Sequence, residues 1–149
     1  MAAIALAASA CGGPRVENAD VTAEQIERVS TPRVEKEDPA ASVRLQPLSA
    51  LDIARQGEAA GHVRFCRFQR NGVTLLAAWN TNAIARIGGQ LRHLVQSAPV
   101  GETGGFFGDR QISVSIGLVT PGGAGARIAV TNRGNQAQQE WIGEWLCGR

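Results

Sequence analysis

Lysine is almost missing from this 149-residue chain: Lys36 is the only one, and the other basic residues are arginines. That bias reads as genome-wide composition and carries no functional weight. Histidine is scarce too, and neither His62 nor His93 stands at a metal-ligand spacing from a cysteine or the other histidine. Gly-x-Ser-x-Gly elbows, His-Glu-x-x-His helices and phosphate-binding Gly-x-x-x-x-Gly-Lys loops are absent. The expectation is therefore a protein that is not an enzyme, with no catalytic residue, metal or cofactor. Met1 to Ala10 (MAAIALAASA) is apolar, but a membrane-spanning helix needs roughly 20 such residues.

With 44% hydrophobic and 19% charged residues, the chain suits one modest globular domain and a tail. Its formal charge of +2 conceals an asymmetry. Residues 1–40 carry four bases and seven acids, while the remainder carries eleven bases and six acids. A basic domain on an acidic tether favours anionic surfaces, although so small a net charge also serves solubility alone. From Arg15 to Ala41, charged and small residues with Pro32 and Pro39 read as a flexible tether. Thr22 to Gln25 fits a capping box, so Val21 to Val29 is a transient helix candidate.

The folded part is expected from Val43 onward. Ser49 and Asp52 form a second capping pair ahead of a short helix, Ala50 to Gln56, with Gly57 as its cap. Leu48, Leu51 and Ile53 would lay it against a sheet, where it plugs one end of the domain. Seven strand candidates follow: His62 to Arg70, Val73 to Trp79, Ala83 to Ile87, Leu91 to Val95, Gln111 to Thr120, Arg127 to Asn132, and Gln139 to Cys147. Asn71-Gly72 is the strongest hairpin signal, because a type I′ turn needs positive φ at both positions. Ile112, Val114, Ile116 and Leu118 alternate with polar residues and share one face. Short connections make neighbours pair antiparallel. The predicted fold is mainly β: a small antiparallel barrel or curled meander of about seven strands with one short N-terminal helix.

The last of these segments organises the rest. Trp141, Gly143, Trp145 and Cys147 fall on one face, which should be a core face. Cys66, in the first strand candidate, is the expected mate of Cys147, and a disulfide between them would staple the start of the domain to its end. Two buried thiols are the alternative.

Ala8, Ser9 and Ala10 ahead of Cys11 resemble the lipobox of bacterial lipoproteins, with Ala8 where that family usually has leucine. The resemblance implies cleavage before a diacylated Cys11, residues 1–10 as part of a signal peptide whose start lies upstream, and an envelope address facing the periplasm. Residues 11–42 then form the lipidated tether and residues 43–149 the β domain. One lipidated cysteine and one disulfide account for all three cysteines in an oxidising compartment. The implied partners are the membrane, through the lipid, and an anionic envelope component or periplasmic protein. Oligomeric state is not readable.

The best binding candidate is the loop Gly101 to Arg110 (GETGGFFGDR), with Glu102, Phe106, Phe107, Asp109 and Arg110. In an extended segment one of the adjacent phenylalanines must face solvent, where an aromatic serves recognition. Glu102 and Asp109 also suggest acid–base work by a carboxylate pair, a hydrolase reading, although a loop that simply needs positive φ has the same glycines. His93 reads as a partly buried structural residue. Arg64, Arg67 and Arg70 near Phe65 and Phe68 suggest an anionic surface contact, with nucleic acid excluded by the envelope address. The predicted function is a binding or envelope-maintenance module. In layout the chain is similar to the membrane-bound inhibitors of c-type lysozyme, lipoproteins with a small disulfide-containing barrel. It carries no copy of their inhibitory loop motif, and its basic domain is a poor match for a basic lysozyme.

Overall fold

The structure, a computed structural model, describes residues 38–61, 64–96 and 100–148. The lipobox-like segment, the tether up to residue 37, the transient helix candidate and His62 lie outside the described residues. A 3₁₀ turn (Pro39–Val43) leads into β1 (Leu45–Gln46) and the helix α1 (Ala50–Ala60). Eight further strands follow: β2 (Phe65–Arg70), β3 (Val73–Trp79), β4 (Asn82–Ile87), β5 (Gln90–Gln96), β6 (Gly104–Gly108), β7 (Ile112–Leu118), β8 (Gly125–Asn132) and β9 (Gln138–Gly148).

From β2 to β9 each strand pairs antiparallel with its sequence neighbours, and β9 pairs back onto β2. The sheet is therefore a closed eight-stranded up-and-down barrel, in which closure removes the free edges that an open meander would leave. Asn71 (φ 52°) and Gly72 (φ 75°) make the first hairpin turn in the left-handed conformations the sequence calls for. β1 is an extra short strand on β4, pairing Leu45 with Ile87 and Gln46 with Arg86.

Inward-facing residues fill the barrel. Phe68, Leu76, Leu94, Phe107, Ile112, Ile128 and Trp145 are all buried. Alternation along β9 turns Trp141, Gly143, Trp145 and Cys147 to that side and Glu140, Ile142 and Glu144 outward. Cys147 stands directly opposite Cys66 in the β2–β9 ladder, and the two form a disulfide within the core. Gly143 is inside for a steric reason: a Cβ there would run into the Gln69 carbonyl oxygen and lie 2.7 Å from Phe68 Cζ.

The helix does not plug the barrel. It lies on the outer wall, where Leu48, Ile53 and Ala60 pack on Ala77, Trp79 and Ile84. Those outward apolar residues need cover, which is why Leu75 to Trp79 of β3 and Ala83 to Ala85 of β4 read as apolar runs rather than alternating ones. Leu51 is 58% exposed and takes no part. The Ser49–Asp52 capping box is present in both directions, and Asp52 also pairs with Arg86 at 3.1 Å. Gly57 does not end the helix, which runs on to Gly61 (φ 71°); a Cβ at Gly57 would sit 3.8 Å from the Trp79 indole nitrogen. The 3₁₀ turn takes the end position instead. Val43 enters the core there, while the Ser42 hydroxyl accepts hydrogen bonds from Asn132 and Asn135. At the opposite end Val100 is buried, and the Trp145 indole N–H donates to the Gly101 carbonyl at 3.0 Å.

The sequence reading misses β6. Gly104, Gly105 and Gly108 depress strand propensity, yet each allows a close approach that a side chain would block. A Cβ at Gly104 would meet the Ile116 carbonyl, one at Gly105 the Gln96 side chain, and one at Gly108 the Ile112 carbonyl.

Candidate functional site

Strand geometry divides the predicted binding loop. β6 turns Phe107 into the core and Phe106 out, leaving Phe106 71% exposed on the outer wall. Glu102 and Asp109 lie beyond opposite ends of this strand, which spans about 13 Å at the usual rise per residue. They are not brought together as a pair. Glu102 is exposed and 3.7 Å from the Arg64 guanidinium, a solvated contact worth little.

Asp109 has a structural task. It accepts hydrogen bonds from the backbone N–H groups of Gln111 and Ile112, both at 2.7 Å, which closes the β6–β7 turn. Its other oxygen accepts from Arg92 at 2.8 Å, and Arg92 also donates to Gln111. This cluster ties β5 to β6 and β7, where β5 and β6 pair among the described residues at Val95↔Gly108 and Gln96↔Phe107. Partial burial pushes the Asp109 carboxyl up, but the bonds from Ile112, Arg92 and Gln111 outweigh it and hold the group below the usual carboxylate range. Arg110 is exposed on the turn, and His93 is exposed on the outside of β5 rather than partly buried.

No protein family, curated protein or solved structure matches the chain.

What the wall around Phe106 offers is a pair of open grooves, about 560 and 470 Å³, with the phenylalanine ring between them. Their shared floor is Ser115 of β7 and Ala129 of β8. The first groove is bordered by Val95, Ser113, Thr131 and Arg133; the second runs past Gly117 to Val119, Arg127 and Glu140. Arg127 and Glu140 pair with each other at 3.7 Å. Arg133 has no carboxylate within ion-pair range among the described residues, and its Nη2 lies 3.3 Å from where a Cβ on Gly108 would stand. Sequence reasoning finds Phe106 but not Ser113, Ser115, Gly117, Ala129 or Arg133, because their common face appears only once the registers of β6, β7 and β8 are known. Among the described residues no group of three or more histidine, cysteine, aspartate or glutamate side chains is placed to hold a metal ion.

Proposed function

We propose that this chain is a binding module of the bacterial cell envelope, anchored through a diacylated Cys11 and carried on its acidic tether into the periplasm. The observation that carries the reading is the filled and stapled interior. An eight-stranded barrel either packs its lumen with side chains or holds one small ligand there, and this lumen holds Phe68, Phe107, Trp145 and the Cys66–Cys147 bridge. Recognition is therefore left to the outer wall, and a disulfide suits an oxidising compartment. The wall around Phe106 is the binding face, and no catalytic residue is assigned.

The test is the intact mass of the protein expressed in a Gram-negative host from its full upstream reading frame, with and without reduction. A diacyl increment on a chain beginning at Cys11, together with two hydrogens regained on reduction, supports the reading. An unprocessed chain with three free thiols refutes it.

A second reading, a lysozyme-inhibitor-like periplasmic protein, draws support from a disulfide within a small closed barrel, the layout named above. Slower clearing of a bacterial suspension by c-type lysozyme supports this reading, and unchanged clearing at micromolar protein removes it.

A further inference from the structure

The outer face of β7 is bare: its outward positions are Ser113, Ser115 and Gly117. Together with Ala129 and Thr131 of β8 they floor a trough that follows β7, with Phe106 and Val95 on its other side. Gly117 is the informative residue. It is exposed at the penultimate position of β7, its φ lies outside the left-handed range, and a Cβ there would meet nothing within 4 Å. Neither turn geometry nor packing requires glycine here, and glycine weakens a strand. A strand glycine often marks a bulge, a bend or a place where a ligand or another backbone comes close, and the register of β7 runs through Gly117 without a bulge.

The chemistry of the trough narrows the occupant. β7 is laddered to β6 and β8 along Ser113 to Gly117, so its backbone has no free edge to capture a peptide strand. A ligand must be read through hydroxyl groups and the face of one aromatic ring. That combination suits a sugar chain, whose C–H face lies on an aromatic ring and whose hydroxyls exchange hydrogen bonds with serine and threonine. From Ser113 to Gly117 the floor runs about 13 Å, room for a short row of sugar rings. Arg133 adds a cation at one end with no ion-pair partner among the described residues, beside Asp109, whose carboxylate is already engaged by Arg92 and two backbone N–H groups, on a domain with eleven bases and six acids.

We infer that this trough binds the carboxylate-bearing glycan of the cell wall, a peptidoglycan strand, with Phe106 under a pyranose ring and Arg133 paired with a carboxylate. The inference rests on the envelope reading for the choice of glycan within reach.

The experiment is co-sedimentation of the full chain, carrying Cys11→Ser, with purified peptidoglycan sacculi over a range of concentrations and salt. Removing the acylated cysteine makes the outcome independent of lipidation, which the intact mass tests by itself. Saturable pelleting is expected, weakened about tenfold or more by Phe106→Ala and by Gly117→Leu, which fills the trough. Arg133→Gln weakens it about threefold and flattens its salt dependence. Val73→Ser, on another strand, leaves it unchanged. Thermal unfolding verifies that each variant is folded; if Gly117→Leu is not, the exposed Phe106 side chain still decides. A wild-type chain that stays in the supernatant overturns the proposal, as does pelleting that Phe106→Ala leaves intact. So does binding to phosphatidylglycerol vesicles, but not to sacculi, that is lost with Phe106→Ala, which would make this wall a membrane face.

Discussion

Replacing both Cys66 and Cys147 with alanine tests whether the bridge or the ladder holds the barrel shut. The two cysteines are 81 residues apart, so the chain-entropy relation gives about 4.5 kcal/mol of stabilisation through the unfolded state. The ladder between the same strands survives the substitution, with Phe65 to Gln69 still opposite Glu144 to Gly148. The native barrel should therefore form, but melt about 15–20 °C lower, since roughly 4 °C accompanies each kcal/mol in a domain of about this size. Urea unfolding adds a signature that a simple loss of packing lacks. The m-value should rise, because the unfolded chain freed of its loop exposes more surface. Reducing the wild-type protein should reproduce both effects. A double variant within about 1 kcal/mol of wild type, with an unchanged m-value, would refute the argument and assign closure to the β2–β9 ladder alone.

Gly143→Ala places a methyl group against the Gln69 carbonyl and 2.7 Å from Phe68 Cζ; a loss of about 3 kcal/mol is expected, and an unchanged melting temperature would contradict it. Asp109→Ala removes two backbone caps and the Arg92 pair, a cost of about 1–3 kcal/mol at neutral pH read by urea titration. The folded carboxyl lies below its ordinary 3.8, so its stabilisation is complete above that pH and is lost as pH falls through the folded value. The variant should accordingly show a shallower decline in stability below pH 3.8 than wild type. Ser49→Ala breaks the capping box of α1 and should cost about 1 kcal/mol in thermal unfolding.

Most of the barrel is legible because its signals are local. The Asn71-Gly72 turn, the alternation from Ile112 to Leu118 and the Ser49–Asp52 box depend on neighbours in sequence, and each occurs in the structure as read. The Cys66–Cys147 bridge is legible for a related reason: both cysteines sit on inward faces of their strands, so pairing the first strand with the last brings them opposite one another. What escapes is set by tertiary contact. β6 is held by glycines whose purpose is visible only against Ile116, Gln96 and Ile112. The helix finds the wall rather than the end because Trp79 and Ile84, which look like core residues in sequence, point outward. The groove floor is assembled from alternate residues of separate strands, none of them distinctive alone.

The two walls of the barrel solve the same problem in opposite ways. On the β3–β4 side the outward residues are Ala77, Trp79 and Ile84, and the chain covers them with α1. Along β7 the outward residues are Ser113, Ser115 and Gly117, which need no cover. Phe106 breaks that logic. A phenylalanine 71% exposed above a polar, small-residue floor gains nothing from the fold, since its partner Phe107 already supplies the core contact of that strand. If Phe106 served stability, replacing it would cost the 3–5 kcal/mol typical of a buried phenylalanine; at this exposure the expected change is within about 0.5 kcal/mol. The proposed sugar contact would account for its place on the wall, and a stability loss of several kcal/mol on replacing it would instead assign it to the fold.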